Sequence, residues 1–103
     1  MKIAVASSDG KTIDTHFGKA DKFYIYGVEK DHLKYLETRT APSYADGSKR
    51  HSFRREAFAN TFDTIKDCSQ LYTVKIGDVP KSRLETLGLK VKVCEGRIEE
   101  AIN

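Results

Sequence analysis

The apolar residues of the chain fall into short runs separated by polar clusters, and the spacing within each run predicts its element. Lys2-Ile3-Ala4-Val5-Ala6-Ser7 is a brief apolar run closed by the turn cluster Ser7-Ser8-Asp9-Gly10, the pattern of a buried central strand followed by a loop. Phe23-Tyr24-Ile25-Tyr26-Gly27-Val28 is aromatic and β-branched, and Leu33 to Arg39 alternates well enough to pair with it across the polar link Glu29-Lys30-Asp31-His32. Residues 40–52 carry Pro42 and Gly47 and no periodicity, which marks a long loop of the functional or mobile kind.

Phe53, Ala57, Phe58, Thr61, Phe62 and Ile65 then recur as the stripe of an amphipathic helix, with Ser52 as its expected N-cap. Leu71-Tyr72-Thr73-Val74 reads as a strand. Asp78 is placed to cap a helix that has Pro80 in its first turn, Leu84 and Leu87 turned inward, and Gly88 as the left-handed terminator. Leu89-Lys90-Val91-Lys92-Val93 alternates as a strand, and residues 97–102 predict a short last helix with Ile98, Ala101 and Ile102 inward.

This order, a strand, a hairpin and then alternating helices and strands, predicts an α/β fold: a mixed five-stranded sheet with one antiparallel strand and helices on both faces. Ligands in such sheets gather beyond the carboxyl ends of the parallel strands. That rule places the loop after Ser7, the segment after Val74 and the segment after Val93 near one another.

Composition changes the picture mainly by exclusion. The length of 103 residues predicts one domain over residues 1–103, and 32% charged residues with 39% hydrophobic ones exclude disorder and collagen. No run approaches the ~20 apolar residues of a membrane span, and Met1 to Ala6 is too short and too soon polar for a signal peptide, so the expectation is a cytoplasmic protein without a membrane partner. Cys68 and Cys94 form no CxxC and imply reduced thiols. The net charge of +3 is too mild to select nucleic acid. The sequence has no GxSxG, GxxxxGK[ST], GxGxxG after a strand, or HExxH, and few strand-end carboxylates for a two-metal nuclease, so it is not expected to be an enzyme.

Three groups of residues could carry chemistry. Asp14-Thr15-His16-Phe17-Gly18, with Lys19 and Asp21, could bind a metal or an anion, His16 being the ligand type; equally, Ile13 and Phe17 could anchor the loop while Asp14 and His16 bond to backbone. Lys49, Arg50, His51, Arg54 and Arg55 run from the long loop into a helix start. Positive charge there does not help the helix, so anion binding and a solvated basic face both fit. Cys68 and Cys94 are each either a cluster ligand or a small buried hydrophobe.

The stretches Ile3 to Gly10, Ile13 to Ala20 and Phe23 to Tyr26 resemble the opening of the dinitrogenase iron-molybdenum cofactor biosynthesis family, which includes NifX-like and NafY-like carriers and the C-terminal domain of NifB. Asp67-Cys68, Ile76-Gly77, Leu84 with Gly88-Leu89, and Gly96 to Ile102 extend the resemblance over nearly the whole chain. It implies a ribonuclease H-like three-layer fold. It also implies a non-catalytic carrier that binds an iron-sulfur or iron-molybdenum cluster, or another molybdenum-sulfur cluster, and hands it to cofactor-assembly proteins or an assembly ATPase. His16 is implied as a cluster contact and Cys68 as a weaker metal ligand. Family members often have a glycine-rich, histidine-bearing loop where this chain has Ser43 to His51, so His51 either substitutes for that ligand or does not. Metal-sulfide clusters are bulky anions, and few ligands within a basic rim suit reversible binding. The rival readings are a protein-interaction module without a cluster and a nucleic-acid binder.

Overall fold

A computed structural model describes residues 1–30, 32–41 and 55–102, with the side chains of 55–57 excepted. Ser52, Phe53 and the loop over 42–52 lie outside the described residues. The strands are β1 (Lys2–Val5), β2 (Thr12–Ile13), β3 (Lys22–Glu29), β4 (His32–Thr40), β5 (Gln70–Thr73), β6 (Lys90–Val93) and β7 (Gly96–Arg97). The helices are α1 (Arg55–Ile65), α2 (Asp78–Thr86) and α3 (Ile98–Ala101), and a 3-10 turn covers Phe17–Lys19.

Five strands form one mixed sheet in the order β4-β3-β1-β5-β6, while β2 and β7 pair separately. The β1–β5 and β5–β6 ladders are parallel, as the alternation of helices and strands predicts. The expectation of one antiparallel strand describes the sheet in part: β3 is the reversed strand, and its ladders with β1 and β4 are both antiparallel. The sequence pattern gave no sign of β2 and β7, since two-residue strands have no period to read. Ile13, in β2, is nevertheless fully buried.

The period of two along β1 explains the layering. Ala4 and Ala6 face one cluster with Phe23, Ile25, Leu71 and Val91, covered by Phe58 and Ile65 of α1 and Leu84 of α2. Ile3 and Val5 face a second cluster with Tyr26 and Tyr72, covered by Ile13 and by Ile98 of α3. A strand buried on both sides is central by necessity, which is why β1 reads as a continuous apolar run.

Two expectations for α2 need correction. Gly77, not Asp78, is its N-cap, with Asp78 inside the first turn. Leu87 lies past the last helical residue and is 54% exposed, because Leu84 and Leu89 already fill the inward positions on either side of it. Gly88 does carry the left-handed terminator, at φ 98°.

Pairing between β3 and β4 shifts by one residue: Ile25 faces Glu37 but Tyr26 faces Tyr35, so Leu36 is the extra residue of a β-bulge. Its side chain lies over Gly27, 3.5 Å from where a Cβ would sit. The bulge lets Tyr35 and Thr38, three positions apart, share a face and join hydroxyls at 2.6 Å.

Candidate functional site

The carboxyl ends of β1, β5 and β6 are brought together by backbone bonds that continue past the strands. Ala6 N–H donates to the carbonyl of Tyr72 at 2.9 Å and Cys94 N–H to that of Thr73 at 2.9 Å. The segment around His16 joins the same edge: Val74 N–H donates to Thr15 at 3.2 Å, and Phe17 N–H donates to Lys75 at 2.9 Å. The buried Thr73 hydroxyl also donates to the Thr15 carbonyl at 2.8 Å. His16 is thus held by main-chain bonds on both sides while its side chain is exposed. Phe17, fully buried, anchors the segment in the first cluster, which is worth about 1.5–3 kcal/mol.

The loop before it is braced by its own carboxylates. Ser7 donates to Asp9 at 3.1 Å, and Asp9 accepts the N–H groups of Lys11 and Thr12 at 2.8 and 2.9 Å. These two backbone donors chiefly hold the Asp9 carboxyl below its ordinary value. Asp14 accepts from the Ser8 N–H and hydroxyl at 2.9 and 2.5 Å and from the Thr15 hydroxyl at 2.8 Å. Burial pushes its pKa up, but these bonds outweigh burial and leave it lowered. Of the two readings of this motif, Ile13 and Phe17 do anchor it and Asp14 does bond locally. His16 departs from the local reading, since its side chain makes no capping bond to the 3-10 turn it precedes.

Gly10 completes the brace at φ 75°, where any Cβ would come 2.6 Å from the Tyr24 ring. The Tyr26 hydroxyl donates to its carbonyl at 2.5 Å. A cavity of about 810 Å³ opens beside this loop, lined by Lys11, Tyr26, Tyr35 and Arg97 among others. Asp9 and Gly10, of the loop expected near the strand ends, line it, whereas His16, Cys68 and Cys94 do not.

Cys68 does not join His16. It sits in the turn that enters β5, whose neighbour Ser69 donates to the Lys2 carbonyl at 2.7 Å, whereas His16 lies beside the turn that leaves β5. The four residues of β5 separate the two turns, on the order of 13 Å of strand. The thiol is buried, donates to Asp67 at 3.7 Å, and is pushed up to about 11 by burial and then by the Asp67 charge. A thiolate is the ligating form, so this environment disfavours the metal role that the resemblance implies for Cys68. Cys94, half-buried, is the cysteine at the His16 edge, and burial raises its pKa as well.

Lys49, Arg50, His51 and Arg54 lie outside the described residues, and Arg55 opens α1. Among the described residues no group of three or more His, Cys, Asp and Glu is placed to hold a metal ion. The exposed cations at the His16 edge are instead Lys19, in the same 3-10 turn, and Lys75, across from Phe17. Lys19 belongs to the motif as read from sequence. Lys75 was missed, since an isolated lysine after a strand carries no local signal.

The chain matches, over residues 1–103, the family described as dinitrogenase iron-molybdenum cofactor. It is 37% identical over 102 residues to the FeMo cofactor biosynthesis protein NifB of Chlorobaculum tepidum, covering 97% of this chain and 22% of that protein. It is 30% identical over 92 residues to protein NifX of Klebsiella pneumoniae, covering 89% of this chain and 55% of that one. The chain therefore spans about a fifth to somewhat over half of the length of these relatives. Among solved structures, the crystal structure of PH0822 shares the fold at a TM-score of 0.71 and 23% identity, covering 99% of this chain and 86% of that chain.

Proposed function

The chain belongs to the dinitrogenase iron-molybdenum cofactor family, and from that premise we propose that it is a non-catalytic carrier. Its cargo is an anionic iron-sulfur or molybdenum-containing cluster, bound transiently and passed to cofactor-assembly proteins in the cytoplasm. The observation that carries this reading is the exposed His16, fixed by main-chain bonds from Thr15 and Phe17 to the end of β5. One imidazole on a rigid support supplies a single ligand bond, and a carrier must release what it binds. The ribonuclease H-like three-layer architecture is the frame for this reading, supported by the strand order β4-β3-β1-β5-β6 and by apolar clusters on both faces of the sheet. Among the described residues no helix is long and apolar enough to cross a membrane.

Anaerobic titration with preformed iron-sulfur clusters, followed by gel filtration and metal analysis, tests it. Coloured protein should co-elute with cluster, and His16→Ala should weaken binding at least tenfold, about 1.4 kcal/mol. Wild-type affinity in a folded His16→Ala variant would overturn the site. A colourless wild-type protein would overturn the carrier and favour a module that docks on partners alone.

A further inference from the structure

Three cationic or ligating side chains are gathered at one end of the sheet by backbone geometry rather than by sequence spacing. The Lys19 N–H donates to the His16 carbonyl at 3.0 Å, placing Lys19 one tight turn from the imidazole. The Lys75 carbonyl accepts from Phe17 at 2.9 Å, placing Lys75 one strand spacing from the residue that follows His16. His16, Lys19 and Lys75 are all exposed.

Some cations of the chain are compensated by a neighbouring carboxylate, and these two lysines are not among them. Lys2 reaches Asp67 at 3.2 Å, Arg39 reaches Asp67 at 2.6 Å and Glu37 at 2.9 Å, and Lys66 reaches Asp63 at 3.0 Å. Among the described residues neither Lys19 nor Lys75 has an ion-pair partner. Asp14, on the same segment, spends its acceptor positions on Ser8 and Thr15. Like charges on neighbouring segments without counter-ions repel when they approach one another, and an anion seated between them relieves that repulsion.

We propose that Lys19 and Lys75 are binding residues that flank His16 and select the cargo by its negative charge. This rests on the carrier reading above and adds its recognition chemistry: a compact sulfide-rich dianion or larger polyanion, with one bond from imidazole and the remaining attraction from two ammonium groups. Ammonium is suited to this task, because a point charge on a flexible stem tolerates cargoes of different shape.

The probe is tetrathiomolybdate, titrated at low and high salt into wild type, His16→Ala, the double variant Lys19→Gln/Lys75→Gln and the charge-keeping double variant Lys19→Arg/Lys75→Arg. The glutamine pair should bind about tenfold more weakly at low salt and lose most of the salt dependence, since screened attraction is what it removes. The arginine pair should retain both, and His16→Ala should weaken binding while keeping the salt dependence. Lysines with a purely structural role would shift the thermal midpoint and leave the salt dependence alone. A glutamine pair that binds like wild type, while His16→Ala is impaired, overturns the charge-selection proposal and leaves the His16 site standing. Wild-type binding in both overturns the site itself, and the proposal with it.

Discussion

The turn that enters β5 and the turn that leaves it are built from similar residue types and use them in opposite ways. At the entry, Asp67 is gripped by Lys2 and by two Arg39 nitrogens, Arg39 also holds Glu37 and the Thr64 carbonyl, and the Cys68 thiol is buried beneath them. At the exit, His16, Lys19 and Lys75 point to water, and the bonds that fix them run through the backbone. Charges that satisfy one another close a surface. Backbone bonds fix a segment and leave its side chains available, and for that reason the functional proposal lies at the exit.

Thiol reactivity offers the largest contrast. With its pKa pushed from 9.0 to about 11, Cys68 should react with iodoacetamide at pH 8 about 100-fold more slowly than an unperturbed thiol, since only the thiolate attacks. Alkylation at an ordinary rate, located by mass spectrometry, would mean that the entry turn opens readily and is no closed structural knot. Next in size, Arg39→Leu should lower the unfolding free energy by about 1–2 kcal/mol in urea, discounted because Asp67 is partly exposed, while cluster affinity stays unchanged. A loss of affinity with little loss of stability would reverse the roles assigned to the two turns. The smallest effect is on acid stability. Hydrogen bonds from Arg39 hold the Asp67 carboxyl well below its ordinary 3.8, so its stabilisation is complete above about pH 4 and is lost as pH falls further, by less than about 1 kcal/mol. In Arg39→Leu that limb of the curve should shrink, and an unchanged limb would assign it to other carboxylates.

The strands and the anchoring of the His16 motif were legible because they are local. Period-two runs revealed β1, the β3–β4 hairpin, β5 and β6, and Ile13 and Phe17 announced themselves as anchors. Distance was not legible. The sequence could not say whether Cys68 lies beside His16, and only the direction of β5 shows that the two stand at opposite ends of the strand. Leu87 fitted the inward stripe of α2 until the positions of Leu84 and Leu89 left it no space in the core. Lys75 was invisible for the opposite reason, because its place beside the His16 motif comes entirely from a backbone bond to a residue 58 positions earlier.

The extra residue at Leu36 has a consequence for the molecule among its own copies. β4 is nine residues long and lies at the margin of the sheet, paired among the described residues to β3 alone. A straight strand of that length, free along one side, is a template on which further chains add and fibres grow. The bulge divides it into two short runs whose hydrogen-bonding groups are out of step, so an incoming strand that matches one run misses the other. On a margin that keeps Tyr35 and Leu36 in view, this break in step opposes edge-to-edge addition together with the exposed charges of Lys34 and Glu37.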